Sequence, residues 1–147
     1  MSLASNDKAY FDYEILEKFE AGLQLTGPEV KAIRANRASL KGSYIKMFNE
    51  RPFLVGATVS PYQQNNTPDS YDPTRTRALL LKPKEIKDLN TAAETKGLSI
   101  VPLKLYDHHG LIKIEIGIAR GKKKYDKRET IKKRETDRST RRAMMTK

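Results

Sequence analysis

Ile112, Ile114, Ile116 and Ile118 alternate with Lys113, Glu115 and Gly117. A period of two puts four isoleucines on one face of an extended strand, and such a face must be buried against another layer. Residues 10–25, YFDYEILEKFEAGLQL, repeat the pattern at greater length. Phe11, Tyr13, Ile15, Phe19, Ala21, Leu23 and Leu25 share one parity, with Glu17 the exception. Gly22 removes a side chain where a bend or a close backbone approach is required. The pattern predicts a bent strand, or two strands sharing a register.

The intervening chain supplies shorter elements. Thr26-Gly27-Pro28-Glu29-Val30 opens a helix that runs to near Ser39. Pro28 suits the first helical position, where its missing N–H has no partner to lose, and Glu29 sits where the helix dipole favours an anion. Val30 and Ile33 mark its buried side. Residues 43–48 and 53–59 read as a hairpin turning at Asn49-Glu50-Arg51-Pro52. Residues 60–75 carry three prolines and no period, so they read as a long loop, functional or mobile. Leu79-Leu80-Leu81 predicts a strand covered on both sides. Pro83 opens a second helix with Ile86, Leu89 and Ala93 at helical spacing, and Gly97 stops it. Residues 98–106 form a strand whose apolar parity slips, which predicts a bulge near Ile100–Pro102. His108-His109-Gly110 is a turn. About six strands and two short helices, without regular helical crossovers, predict a mainly β protein. Its antiparallel strands would form a small closed barrel of the oligonucleotide/oligosaccharide-binding (OB) type, or else an open α+β sandwich.

Charge divides the chain. Residues 1–119 hold 16 Lys+Arg and 14 Asp+Glu, a net of +2, whereas residues 120–147 hold 13 and 4, a net of +9. The octet Gly121-Lys122-Lys123-Lys124-Tyr125-Asp126-Lys127-Arg128 lies at the junction. The expected organisation is a domain over residues 1–120 and a basic tail over 121–147. A surplus confined to one end points to a polyanion, most often nucleic acid, over simple solubility. The tail has no apolar face from Lys132 to Arg142, so it should be disordered alone and helical once phosphates neutralise it. A membrane-surface helix would need the apolar face that this tail lacks. No apolar run approaches a bilayer span and Met1–Lys8 lacks a signal-peptide core, so a soluble cytoplasmic location is expected.

Catalytic signals are weak. The chain has no cysteine, and its two adjacent histidines cannot share a metal from one helix face. Gly121-Lys122-Lys123 lacks the earlier glycine and the Ser/Thr of a phosphate loop. No enzymatic activity, no metal and no cofactor are expected. Tyr10, Tyr13, Tyr44, Tyr62 and Tyr71 are candidate stacking platforms for bases, each equally readable as a core-edge residue. A structural ribosomal protein and an RNA-processing nuclease remain alternatives to an RNA-binding factor.

Several segments in this order resemble the SmpB family, small proteins that bind bacterial transfer-messenger RNA. They are Asn6-x-Lys8-Ala9, Tyr13-x-Ile15, Phe19-Glu20-Ala21-Gly22-Leu23-x-Leu25-x-Gly27, Glu29-Val30-Lys31, Asp72-Pro73-Thr74-Arg75-Thr76-Arg77 with Leu79-Leu80-Leu81, and Gly121-Lys122-Lys123-x-x-Asp126-Lys127-Arg128. The resemblance implies an OB-like barrel that holds the tRNA-like domain of transfer-messenger RNA through Asn6, Tyr13, Glu20, Leu80 and Lys113. It implies a tail acting at the decoding centre through Gly121, Lys122, Lys123, Asp126, Lys127 and Arg128. There the tail would lie as a helix in the empty mRNA path of the small subunit. The implied task is trans-translation: delivery of the RNA to the A site of a stalled ribosome by a non-catalytic monomer, with elongation factor Tu and GTP engaged indirectly through the RNA. Pro28, Ala32, Ala78, Pro83 and the end Ala143-Met144-Met145 depart from the usual family residues.

Overall fold

The computed structural model describes residues 2–63 and 70–122. Nine strands and three helices follow the order β1 (Ser2–Ser5), α1 (Asp7–Asp12), β2 (Tyr13–Leu23), α2 (Gly27–Arg34), β3 (Ala38–Ser39), β4 (Tyr44–Phe48), β5 (Arg51–Val55), β6 (Thr58–Val59), β7 (Arg77–Leu80), α3 (Pro83–Glu94), β8 (Leu98–His108) and β9 (Leu111–Gly121). Seven strands form one antiparallel sheet in the order β1-β8-β9-β2-β7-β5-β4, and β3 pairs with β6 separately. The mainly β, antiparallel expectation holds. The ladder runs from β1 to β4 without returning, and the curl of the sheet brings β4 against β8, with α3 packed on β8, β4 and β5.

The isoleucine stripe organises this sheet as its alternation requires. β9 is paired on both sides, to β2 and to β8. Ile112, Ile114, Ile116 and Ile118 are buried in the main core with Phe19, Ala21, Leu54, Leu79 and Leu89. A second, smaller core lies on the opposite face of the same strands. There Ala9 of α1 covers Val101, Leu103 and Ala119, flanked by Tyr10, Tyr13 and Ile15.

That second core explains three differences from the sequence reading. Residues 10–12 belong to α1 and not to the strand, because Ala9 turns inward onto β8 and β9. The bend in β2 is a register shift between Ile15 and Glu17, which leaves Leu16 exposed; Gly22 instead provides a close approach. The bulge in β8 falls between Pro102 and Lys104, just beyond the expected place. Double coverage occurs at Ile100–Leu103 and Ile116–Ala119, which are buried on consecutive positions. The triple leucine lacks it: Leu79 is buried, Leu81 half-buried and Leu80 exposed.

Other boundaries moved for local reasons. α2 stops at Arg34, because Asn36 adopts φ 61° and Ala38–Ser39 then pairs with β6. The β4–β5 turn is only Asn49-Glu50, both at positive φ as a tight hairpin demands, so Arg51 and Pro52 belong to β5. On α3, Ala92 and not Ala93 is the buried alanine. The expected loop holds over the residues of 60–75 that are described; residues 64–69 lie outside them. The tail from Lys123 to Lys147 also lies outside the described residues.

Candidate nucleic-acid interface

Strand register assembles the outer face of the sheet, opposite the main core. Leu80 of β7 faces Gly22 of β2, Gly22 faces Lys113 of β9, and Lys113 faces Tyr106 of β8. One side-chain row thus crosses four strands. One pleat along, Glu20 pairs with Glu115, and Glu115 with Lys104. Gly22 fits this row because it is small: a Cβ there would stand 3.3 Å from the Leu80 Cβ and 3.7 Å from the Lys113 Nζ.

Tyr106, absent from the tyrosines read as stacking candidates, is the hinge of this patch. Its hydroxyl donates to Glu20 Oε2 at 2.5 Å, and Lys104 Nζ sits 5.5 Å from its ring centre. His108 Nδ1 lies 4.0 Å from the same Glu20 oxygen. The Tyr106 hydrogen bond, helped by His108 and Lys113, holds the Glu20 carboxyl below its ordinary value against the opposing effect of desolvation. Burial, and then the Glu20 contact, push the Tyr106 hydroxyl upward. Glu20 is therefore an anion whose orientation a phenol fixes. It remains available to accept from a base amino or imino group. His108, read from sequence as a solvated turn residue, is half exposed and faces this carboxylate. A sequence signal for Tyr106 existed: it follows Lys104 at the same strand parity.

Glu20, Leu80 and Lys113 are thus brought together. Asn6 and Tyr13 lie elsewhere. Tyr13 pairs with Gly121, nine positions along β2 from Gly22 and roughly 25–30 Å away at the rise of a strand. Asn6 Nδ2 donates to the Pro102 carbonyl at 2.9 Å and its backbone N–H to the Leu103 carbonyl at 2.8 Å, so it fastens the start of α1 to the β8 bulge. Both residues line a depression of about 520 Å³ between α1, β4 and β8. Gly121 ends β9, and Lys122 turns back onto α1. The Lys122 backbone N–H donates to the Asp12 carbonyl at 2.9 Å, and its Nζ donates to the Tyr10 carbonyl at 3.0 Å. Lys123, Asp126, Lys127 and Arg128 lie outside the described residues.

Among the other tyrosines, Tyr44 and Tyr62 are exposed, whereas the Tyr71 hydroxyl donates to the Val59 carbonyl at 2.7 Å. Tyr10 is half-buried, with Lys18 Nζ 5.6 Å from its ring centre.

The motif around Arg75 and Arg77 serves the fold. Glu29 is 2 % exposed, and its carboxylate takes Arg75 at 2.6 Å and Arg77 at 2.6 Å; Arg77 is 1 % exposed. Thr26 and Glu29 also form a reciprocal cap at the start of α2. Arg77 further donates to the Ala57 and Pro73 carbonyls. This knot pins α2, β7 and the end of the long loop together. Sequence reading saw in Glu29 only a dipole charge, because its partners lie 46 and 48 residues away.

The fold and this face define a small antiparallel binding module, built around one curled sheet with a charged and aromatic outer surface. The chain belongs to the SmpB family: the family model described as SmpB protein matches residues 3–146. It is similar to the SsrA-binding protein of Ralstonia pickettii (strain 12J), with 51% identity over 144 residues, 98% of this chain and 97% of that protein. It is similar to the SsrA-binding protein of Acaryochloris marina (strain MBIC 11017), with 50% identity over 142 residues, 97% and 92% of the two chains. Among solved structures it is similar to a chain described as "tmRNA-SmpB: a journey to the center of the bacterial ribosome". That chain is 38% identical at a TM-score of 0.67, covering 86% of this chain and 92% of the other.

Proposed function

We propose that this chain binds transfer-messenger RNA and acts with it on ribosomes in trans-translation, rescuing stalled ribosomes and tagging incomplete proteins. The observation that carries the reading is the in-register row of Leu80, Gly22, Lys113 and Tyr106 beside an oriented Glu20 carboxylate, in a chain of the SmpB family. Lys113 supplies phosphate attraction, Leu80 and the Tyr106 ring supply apolar and stacking surface, and Glu20 supplies a directional acceptor. This face takes the tRNA-like domain of the RNA. Asn6 and Tyr13, at the α1 end, form a separate contact region. Gly121 and Lys122 launch the basic tail from that end, and Lys123, Asp126, Lys127 and Arg128 act at the decoding site, where the RNA is delivered to the A site. The protein is a cytoplasmic monomer that carries out no chemistry itself, and elongation factor Tu reaches it only through the RNA.

Copurification tests the reading. RNA recovered from cells with the tagged full-length protein should be enriched in transfer-messenger RNA and released from ribosomes by a high-salt wash. Recovery at unit stoichiometry with ribosomes through that wash, without transfer-messenger RNA, would make the chain a ribosomal constituent instead.

A further inference from the structure

Six large apolar side chains are exposed among the described residues, and three of them, Tyr44, Phe48 and Leu80, lie on the outer face of the β4–β5–β7 part of the sheet. Tyr44 and Phe48 alternate with Lys46 on β4, the edge strand. Across the hairpin, Tyr44 faces Val55, Lys46 faces Phe53 and Phe48 faces Arg51. Phe48 and Phe53 meet edge to face, with ring centres 6.5 Å apart. The face holds a depression of about 270 Å³ lined by Tyr44, Lys46, Phe48, Phe53, Val55 and Thr76. A cation and three aromatic rings line it, and no carboxylate does.

This face is continuous with the one already described. Phe53 pairs with Ala78 on β7, and two residues further along these strands lie Arg51 and Leu80. The row Leu80–Gly22–Lys113–Tyr106 therefore extends to Arg51 and Phe48. It crosses six strands, about 24 Å at the spacing of neighbouring strands. Each end has an aromatic ring beside a cation, Phe48 with Arg51 and Tyr106 with Lys113, and the middle is low because Gly22 has no side chain.

We infer that the outer face of the β4–β5 hairpin is a stacking site for unpaired bases of the same transfer-messenger RNA, with Phe48 and Tyr44 as platforms and Lys46 and Arg51 on the adjacent phosphates. The inference rests on the RNA lying against Leu80 and Lys113. Rings exposed on a sheet and spaced by cations suit base stacking along a strand. A protein partner would want a more continuous apolar surface, with charge excluded from its centre.

The test uses the full chain and purified transfer-messenger RNA. Phe48→Ala should weaken binding about tenfold, the range of one lost base–aromatic stack, and Phe48→Tyr should restore it. Lys46→Ala should lower the slope of log affinity against log salt by about one. Thermal melting confirms that each variant is folded, and Lys46→Ala keeps the test decisive should Phe48→Ala melt early. A photo-crosslinking phenylalanine analogue replacing Phe48 should attach to the RNA. If the hairpin variants bind as the parent does while Lys113→Ala binds weakly, the hairpin is not part of the site, although the RNA-binding reading stands. If Lys113→Ala also binds normally, the reading of the face itself fails. With ribosomes added to the mixture, crosslinks to a ribosomal protein alone would overturn the RNA assignment.

Discussion

Glu29 shows how one side chain can be misread from its neighbours in sequence. Its burial alone would raise the carboxyl; the Arg75 contact, the Thr26 N–H and Arg77 outweigh that and bring it from 4.5 to about 2. A carboxyl depressed on folding stabilises the fold fully above its unfolded value, and the contribution fades as pH falls from about 4.5 towards 2. The shift corresponds to about 3 kcal/mol for this nearly inaccessible group. Glu29→Gln should therefore lower unfolding free energy by roughly 3 kcal/mol at pH 7, since it also leaves the buried Arg77 without its counter-charge. Denaturant titrations at a series of pH values check this: the gap between parent and variant should narrow below pH 4.5. A constant gap would mean that packing and not charge is what Glu29 supplies. The long-range partners explain why periodicity could not reveal this role. Glu20 was legible through the family resemblance, but Tyr106, which orients it, required the register of β8.

At the scale of elements, period-two alternation located β2, β8 and β9, because each has one face on the main core. It failed where a second layer covers the other face. α1 is too short to show a helical period, and its last three residues, Tyr10 to Asp12, read as the start of the strand that follows. That small core has no spare room. A Cβ on Gly117 would lie 3.0 Å from Ile15 Cγ2, 3.3 Å from the Glu17 carbonyl oxygen and 3.3 Å from Leu103 Cδ1. Gly117→Ala should destabilise the domain by about 1–3 kcal/mol, the range of overpacking, whereas Gly121→Ala, with open space around it, should change little. Paired thermal melts decide it; equal melting temperatures would show that the bulge at Ile15–Glu17 yields freely.

For the whole molecule, composition predicts a boundary near residue 120; β9 runs to Gly121, and Lys122 is bonded back to α1. A cut after Ile118 would remove part of β9, whereas a cut after Lys122 preserves the strand and its bonds to Asp12 and Tyr10. The chain ending at Lys122 should bind transfer-messenger RNA nearly as the full chain does in filter binding, and should not support peptide tagging. Asp126→Ala, Lys127→Ala and Arg128→Ala together should likewise spare affinity and stop tagging; parallel loss of both would show that tail and domain bind as one unit. The roles proposed for these tail residues rest on resemblance alone, since charge does not distinguish Asp126-Lys127-Arg128 from its basic neighbours. The place of β9 has a kinetic consequence. It is the last strand of the described chain yet joins β2 to β8, so neither can complete its ladder while residues 111–121 are still unmade. Folding must wait for distant segments to meet, which puts the domain among slow folders of milliseconds to seconds. Until then the apolar faces of β2 and β8 are exposed, and a nascent chain paused before residue 111 carries open strand edges for a chaperone to shield.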